Sequence, residues 1–246
     1  MKILLVNDDG IQAEGIRTLA KTLAENKHEV YVVAPDGERS GVAHCIIYTK
    51  PLKFYSADDF SGAVKAYAFG GCPADCVKFG VHHLFDFDFD LIVSGINHGP
   101  NLGTDVFYSG TCAAALEGKV MGISSIAVSC TAWKDIDFTA AAEFTAEFIG
   151  KTDFSQQVTY NINVPNLKRG DIKGVKYTPL GVRKYTDHYE MRLNDMEEEA
   201  YLLMGDPIDD IENHPDCDVE WNKAGYITVT PLMMDITDYK ALEKLK

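Results

Sequence analysis

Ile3-Leu4-Leu5-Val6-Asn7-Asp8-Asp9-Gly10 opens the chain as an apolar run that ends on two adjacent carboxylates and a glycine. A short apolar run closed by polar turn formers reads as a buried strand. Carboxylates at the carboxyl end of such a strand lie on the edge where open α/β sheets place their ligands. Neighbouring like charges repel, so a pair kept together there points to a cation between or near them. The competing role is a helix cap, because Asp at a helix start accepts orphan backbone N–H groups. One Asp serves as a cap, and Asp8 with Asp9 and Asn7 exceeds that need. Their hard oxygen atoms suit Mg²⁺, Mn²⁺ or Ca²⁺.

Working outward, Ile11, Ile16, Leu19, Ala20 and Leu23 recur at helical spacing, and residues 29–34 read as the next strand, broken by Pro35-Asp36-Gly37. Strand, helix and strand in about 35 residues form the right-handed unit that builds a parallel sheet. Residues 46–48, 52–55 and 63–69 read as short strands, an antiparallel insertion or edge. A helix then opens at 70–75 and runs through Val77, Val81 and Leu84. Strands are expected at 90–94, 125–129 and 160–164, the last closing the main sheet, and helices at 111–121 and 140–149. This divides the chain into an α/β core over 1–165 and a β-rich extension over 166–246 packed on it. In the extension 201–204 and 225–232 read as strands, 196–199 as an acidic solvated turn and 239–246 as a short helix. An extended β arm suits an oligomer interface.

The chain has 246 residues, 46% of them hydrophobic, enough for one large core with an appendage. A net charge of -14 argues against a binder of nucleic-acid backbone. The apolar stretch 113–128 is interrupted by Glu117 and Lys119, so no membrane span is expected. No signal peptide is read at the start, and the six scattered cysteines lack zinc-site spacing. A cytoplasmic protein without disulfides is the expectation.

Two further loops complete the chemistry. Residues 35–41 offer Asp36, Glu38, Arg39, Ser40 and Gly41, and residues 95–103 hold Asn97 and Asn101 among glycines. In a parallel sheet these loops and the Asp8–Asp9 pair emerge at one edge. Gly95, Gly99 and Gly103 allow close backbone approach, and their N–H groups can cradle an oxyanion. Tyr108-Ser109-Gly110-Thr111 leads into a helix, where hydroxyls and free N–H groups form a phosphate site. Ser109 and Thr111 serve equally as caps or as phosphate ligands. His98, beside Asn97, is a candidate substrate contact. There is no Walker A lysine, no Gly-x-Gly after the first strand and no Gly-x-Ser-x-Gly elbow.

These motifs together resemble the SurE family, the survival-protein 5′/3′-nucleotidases, over essentially the whole chain. The matching stretches are Asn7-Asp8-Asp9-Gly10, Ala34-Pro35-Asp36 with Arg39-Ser40-Gly41, and Ser94-Gly95-Ile96-Asn97-His98-Gly99-Pro100-Asn101-Leu102-Gly103 followed by Tyr108-Ser109-Gly110-Thr111. The sequence departs from the family at Cys72, where threonine is common, and in 194–199, which lack an Asp-Pro-Arg-Gly turn. The resemblance implies a three-layer α/β/α Rossmann-like sheet with a C-terminal β-rich oligomerisation extension, in a homodimer or homotetramer. It implies a phosphatase that hydrolyses nucleoside monophosphates, with 3′-nucleotidase and exopolyphosphatase activity as further expectations. It also implies one divalent cation per subunit, held by Asp8, Asp9, Ser40 and Asn97. Gly41, Gly99, Asn101, Ser109, Gly110 and Thr111 are the expected phosphate or substrate ligands, and Asp8 or Asp9 the proton acceptor from water. Duplex nucleic acid and membranes are not expected partners. Two rivals stand beside this reading. One is an aspartyl-phosphate phosphatase with Asp8 as nucleophile, although Gly10 stands where its second Asp belongs. The other is a non-enzymatic nucleotide-binding module.

Overall fold

In the computed structural model, which describes residues 1–245, the opening run forms β1 (Lys2–Val6). It is followed by α1 (Glu14–Glu25), β2 (Glu29–Pro35), β3 (Phe54–Ser56), β4 (Lys65–Phe69) and α2 (Pro73–Phe79). Next come β5 (Leu91–His98), α3 (Gly110–Val120), β6 (Ser125–Cys130), α4 (Thr139–Lys151) and β7 (Thr159–Val164). The remainder holds β8 (Val175–Tyr177), β9 (Arg183–Tyr185), β10 (His188–Leu193), β11 (Glu199–Met204), β12 (Pro207–Asp209), α5 (Asp218–Lys223), β13 (Ile227–Pro231) and α6 (Tyr239–Glu243).

Nine strands make one sheet in the order β3-β4-β2-β1-β5-β6-β7-β13-β8. The six central strands β4, β2, β1, β5, β6 and β7 run parallel. Alternation along β1 builds the layers, because successive side chains leave a strand on opposite faces. Ile3 and Leu5 pack with Ile16, Leu19 and Leu23 of α1 and with Phe144 and Phe148 of α4. Leu4 and Val6 pack on the other face with Cys76 and Val77 of α2 and Ala114 of α3. The result is the expected three-layer Rossmann-like arrangement.

Three expectations are corrected. Residues 46–48 form no strand, and Tyr48 is 86% exposed, so that run has no face to bury. Of the expected antiparallel insertion or edge, β3 and β4 form the edge, but β4 itself pairs parallel with β2 and only its pairing with β3 is antiparallel. β7 does not close the main sheet, because β13 adds antiparallel to it and β8 parallel to β13. The expected boundary at residue 165 therefore cuts through one sheet. Outside it, β9 pairs with β12, and β10 with β11 forms a hairpin that exposes Tyr189, Met191, Leu193, Tyr201 and Leu203. No described helix is long and apolar enough to cross a membrane.

Candidate active site

The alternation that builds the layers also separates the two aspartates. Asp8 continues the Leu4–Val6 side and meets the start of α3, where Thr111 Oγ donates to one carboxylate oxygen at 2.5 Å and Thr111 N to the other at 3.2 Å. Gly110 makes this approach possible, since a Cβ there would lie 3.0 Å from Asp8 Cβ and 3.1 Å from its Oδ2. Asp8 is not the cap of α1, whose N-cap position is Ala13. Asp9 lies on the opposite side and accepts from the His98 main-chain N–H at 3.1 Å.

Burial pushes the Asp8 carboxyl up from 3.8 to about 6, against the lowering effect of Thr111, and the Asp9 charge pushes it further. Burial also raises Asp9, opposed by the His98 N–H. Among the described residues neither carboxylate is in an ion pair with a lysine or arginine. Two clefts flank the pair and share Ser40, His98 and Trp133. Asp8 faces one of about 520 Å³ that also contains Gly41, Asn97, Asn101, Tyr108 and Ser109. Asp9 faces the other, of about 620 Å³, with Glu14, Glu38 and Asp135. No lysine or arginine lines either cleft among the described residues.

The chemistry of the donors fits a hard cation. Asn97 Nδ2 donates to Gly99 O at 2.9 Å, which leaves its amide oxygen free to accept. Ser40 Oγ donates to Glu38 at 2.8 Å and keeps its lone pairs. Arg39 N donates to the Asp8 carbonyl at 2.7 Å, anchoring this loop beside β1, while the guanidinium turns away to Asp36. Among the described residues no three His, Cys, Asp or Glu side chains gather as a metal centre. The set here is instead two carboxylates, a hydroxyl and an amide oxygen, the mixture Mg²⁺ or Ca²⁺ takes. Asn7 Oδ1, next in sequence, is buried without a hydrogen-bond partner.

The chain matches the family model described as Survival protein SurE over residues 3–187. It belongs to the SurE family. The 5′-nucleotidase SurE of Syntrophomonas wolfei is 44% identical, over 100% of this chain and 94% of its own length. That of Desulforamulus reducens is 42% identical, over 100% and 97%. The crystal structure of the SurE protein from Aquifex aeolicus superposes with a TM-score of 0.84 at 36% identity, covering 100% of this chain and 98% of that one.

Within this SurE site some residues take other places than the sequence implied. Thr111 is fully buried with both donors on Asp8, so it stands behind the carboxylate instead of facing a phosphate. Gly99 N–H is spent on Cys130 O at 3.0 Å, and a Cβ at Gly99 would lie 2.5 Å from the Trp133 ring. Its place is to seat Trp133 rather than to bind an oxyanion. Ser109 Oγ caps α3 by accepting from Cys112 N at 3.0 Å, yet the residue still lines the Asp8 cleft. Asn101 is fixed by its main-chain and side-chain bonds to Asn163, Asn161 and Ser129. His98 lines both clefts, its Nε2 at 3.1 Å from Trp133 O. Sequence reasoning missed Trp133 and the wall built by Tyr185, Asp187 and Leu203 to Gly205. No motif marks these positions.

Thr111→Val tests the role behind Asp8. It keeps the shape and the backbone N–H but removes the hydroxyl that fixes the carboxylate. Steady-state kinetics are expected to show kcat/KM lower by about 10²-fold, since small misplacements at a reacting centre cost that much. Far-UV circular dichroism should be unchanged.

Proposed function

We propose that this SurE-family chain is a divalent-metal-dependent 5′-nucleotidase that hydrolyses nucleoside monophosphates to nucleoside and phosphate. The observation that carries this is the pair of buried Asp8 and half-buried Asp9, without a lysine or arginine partner among the described residues, set beside a cleft that also contains Tyr108 and Trp133. The curated relatives carry the name 5′-nucleotidase. Asp8, Asp9, Ser40 and the Asn97 amide oxygen would hold the cation. When bound, a divalent cation supplies positive charge that polarises a phosphoryl oxygen and makes water more acidic.

The remaining work falls to the chain itself. Thr111 and Gly110 set the direction of Asp8. Asp9, oriented by the His98 N–H, is the more accessible carboxylate and the candidate acceptor for the proton of water. Ser109 and Gly41 border the space for the phosphoryl group, and Tyr108 and Trp133 offer faces to a base or sugar. Both Asp8 oxygens accept from Thr111, which reduces their nucleophilicity and disfavours a phospho-aspartate at that position. A cytoplasmic setting agrees with five buried free cysteines, and the exposed apolar β10–β11 hairpin supports a homo-oligomer.

The test is phosphate release over a panel of 5′- and 3′-nucleoside monophosphates and short polyphosphates, with Mg²⁺, Mn²⁺ and Ca²⁺ in turn. Turnover of 5′-monophosphates that disappears on chelation and returns with the cation is expected. Turnover indifferent to chelator would overturn the metal assignment, and metal-free nucleotide binding without phosphate release would favour a binding module.

A further inference from the structure

Glu117 is the single acidic residue of α3, on a helix otherwise made mostly of small side chains. Its side chain is 5% exposed, and two basic groups reach it: Lys78 Nζ of α2 at 2.6 Å and His44 Nε2 at 2.7 Å. Burial alone would raise its carboxyl, but the bonds from His44 and Lys78 outweigh that and hold it below its ordinary value. Lys78 by itself balances the charge. What the His44 contact adds is an attachment for the stretch that begins at Ser40.

Residues 41–53 contain no helix or strand, so side-chain and main-chain tethers set their position. Ala43 N donates to Tyr108 O at 3.0 Å, and Ile47 N to the Asp75 carboxylate at 3.1 and 3.2 Å. His44 lies between these two points and is the side chain of this stretch bound to a buried charge. Ser40 and Gly41, immediately upstream, line the Asp8 cleft, whereas His44 does not.

We propose that His44 is a positioning residue: docked on Glu117, it fixes the loop that brings Ser40 and Gly41 to the cleft and so governs cation and substrate affinity without touching either. This rests on the cation set proposed above. His44 adds a charge-assisted side-chain bond to a buried carboxylate between the main-chain bonds of Ala43 and Ile47, and so fixes the direction of the loop as well as its path.

The experiment uses the whole chain as His44→Leu, His44→Gln and Lys78→Met. Amide hydrogen exchange of residues 40–47 and calorimetric titration of chelator-treated protein with Mn²⁺ are the primary readouts. His44→Leu is expected to speed exchange in 40–47 alone and to weaken Mn²⁺ by about tenfold, the usual scale for a hydrogen bond to a charged group. KM for a nucleoside monophosphate should rise similarly, with kcat near the parent value at saturating cation. His44→Gln, whose amide N–H can still reach Glu117, should restore all three. Lys78→Met should lower the melting temperature without weakening Mn²⁺. Parent-like exchange and Mn²⁺ affinity in His44→Leu would overturn the proposal, as would identical behaviour of His44→Leu and Lys78→Met. If His44→Leu does not fold, His44→Asn, too short to reach Glu117, is read in the same way. Exchange reports on the loop even if the parent hydrolyses no nucleotide, an outcome that would refute the proposed activity alone.

Discussion

Asp8→Asn is expected to lower phosphate release by about 10³-fold or more, while the protein melts no lower than the parent. The reason is that Asp8 holds an ionised carboxylate where the fold alone would prefer a neutral group. Raising it from 3.8 to about 6 means its charge costs the metal-free protein about 3 kcal/mol near neutral pH. Asn keeps an oxygen for the Thr111 hydroxyl at the position now 2.5 Å away and loses only the longer bond from Thr111 N at 3.2 Å. Removing the Asp8 charge relieves a conflict instead of opening a cavity. Thermal melts give a second reading. Mn²⁺ at about 100 times its Kd should stabilise the parent by about 2.7 kcal/mol, or roughly 5–10 °C. Asp8→Asn should show little of that shift. A properly folded Asp8→Asn protein with retained turnover would falsify the site assignment.

Arg183→Met should destabilise by about 3–5 kcal/mol, the scale for breaking a buried ion pair from one side. Arg183 Nε donates to Asp209 at 2.6 Å and Nη1 to Asp105 at 2.9 Å, with side-chain exposures of 7%, 3% and 14%. Met fills the volume but leaves Asp105 without its cation and Asp209 with Lys223 alone. The melting temperature should fall by about 10 °C, measured by calorimetry. The same cluster aims Tyr185, whose hydroxyl donates to Asp105 at 2.7 Å, so KM for nucleotides should rise as well. The pH dependence has a definite sign. Burial would raise the Asp209 carboxyl, but Arg183 and Lys223 hold it below 3.8. A depressed carboxylate contributes stability that is present above the unfolded value and is lost as pH falls through the folded one. Below about pH 4 the parent should therefore lose part of this margin, and Arg183→Met should lose less.

The order of strands and helices through residue 164 was legible because each apolar run ends at a glycine, a proline or a polar turn. Strand direction was not: residues 65–69 have the same alternation whether β4 runs with β2 or against it. The 46–48 run misled because apolar residues in a row resemble a strand even when nothing covers them. At the site, Asp8 and Asp9 stood out as a surplus of charge. The partner of Asp8 did not, because Thr111 is 103 residues away and reads locally as an ordinary first-turn residue. Gly99 looked like an oxyanion donor, and only the fold reveals that its N–H belongs to Cys130. Trp133, Arg183 and Asp187 carry no local signature, since each acts through a contact made in three dimensions.

Among the described residues no lysine or arginine lines either cleft, and this has a kinetic meaning. In the proposed reaction the cation would supply the strong positive charge that these clefts lack. Before it binds, the entrance presents Asp8, Asp9, Glu38 and Asp187 to an incoming dianion, and the field repels it. A bound divalent cation would offset two of these charges and set positive charge beside the phosphoryl oxygens. On the proposed reading the nucleotide would bind weakly until the cation site is filled. Electrostatic polarity would then gate the substrate, with cation supply setting the fraction of molecules open for entry.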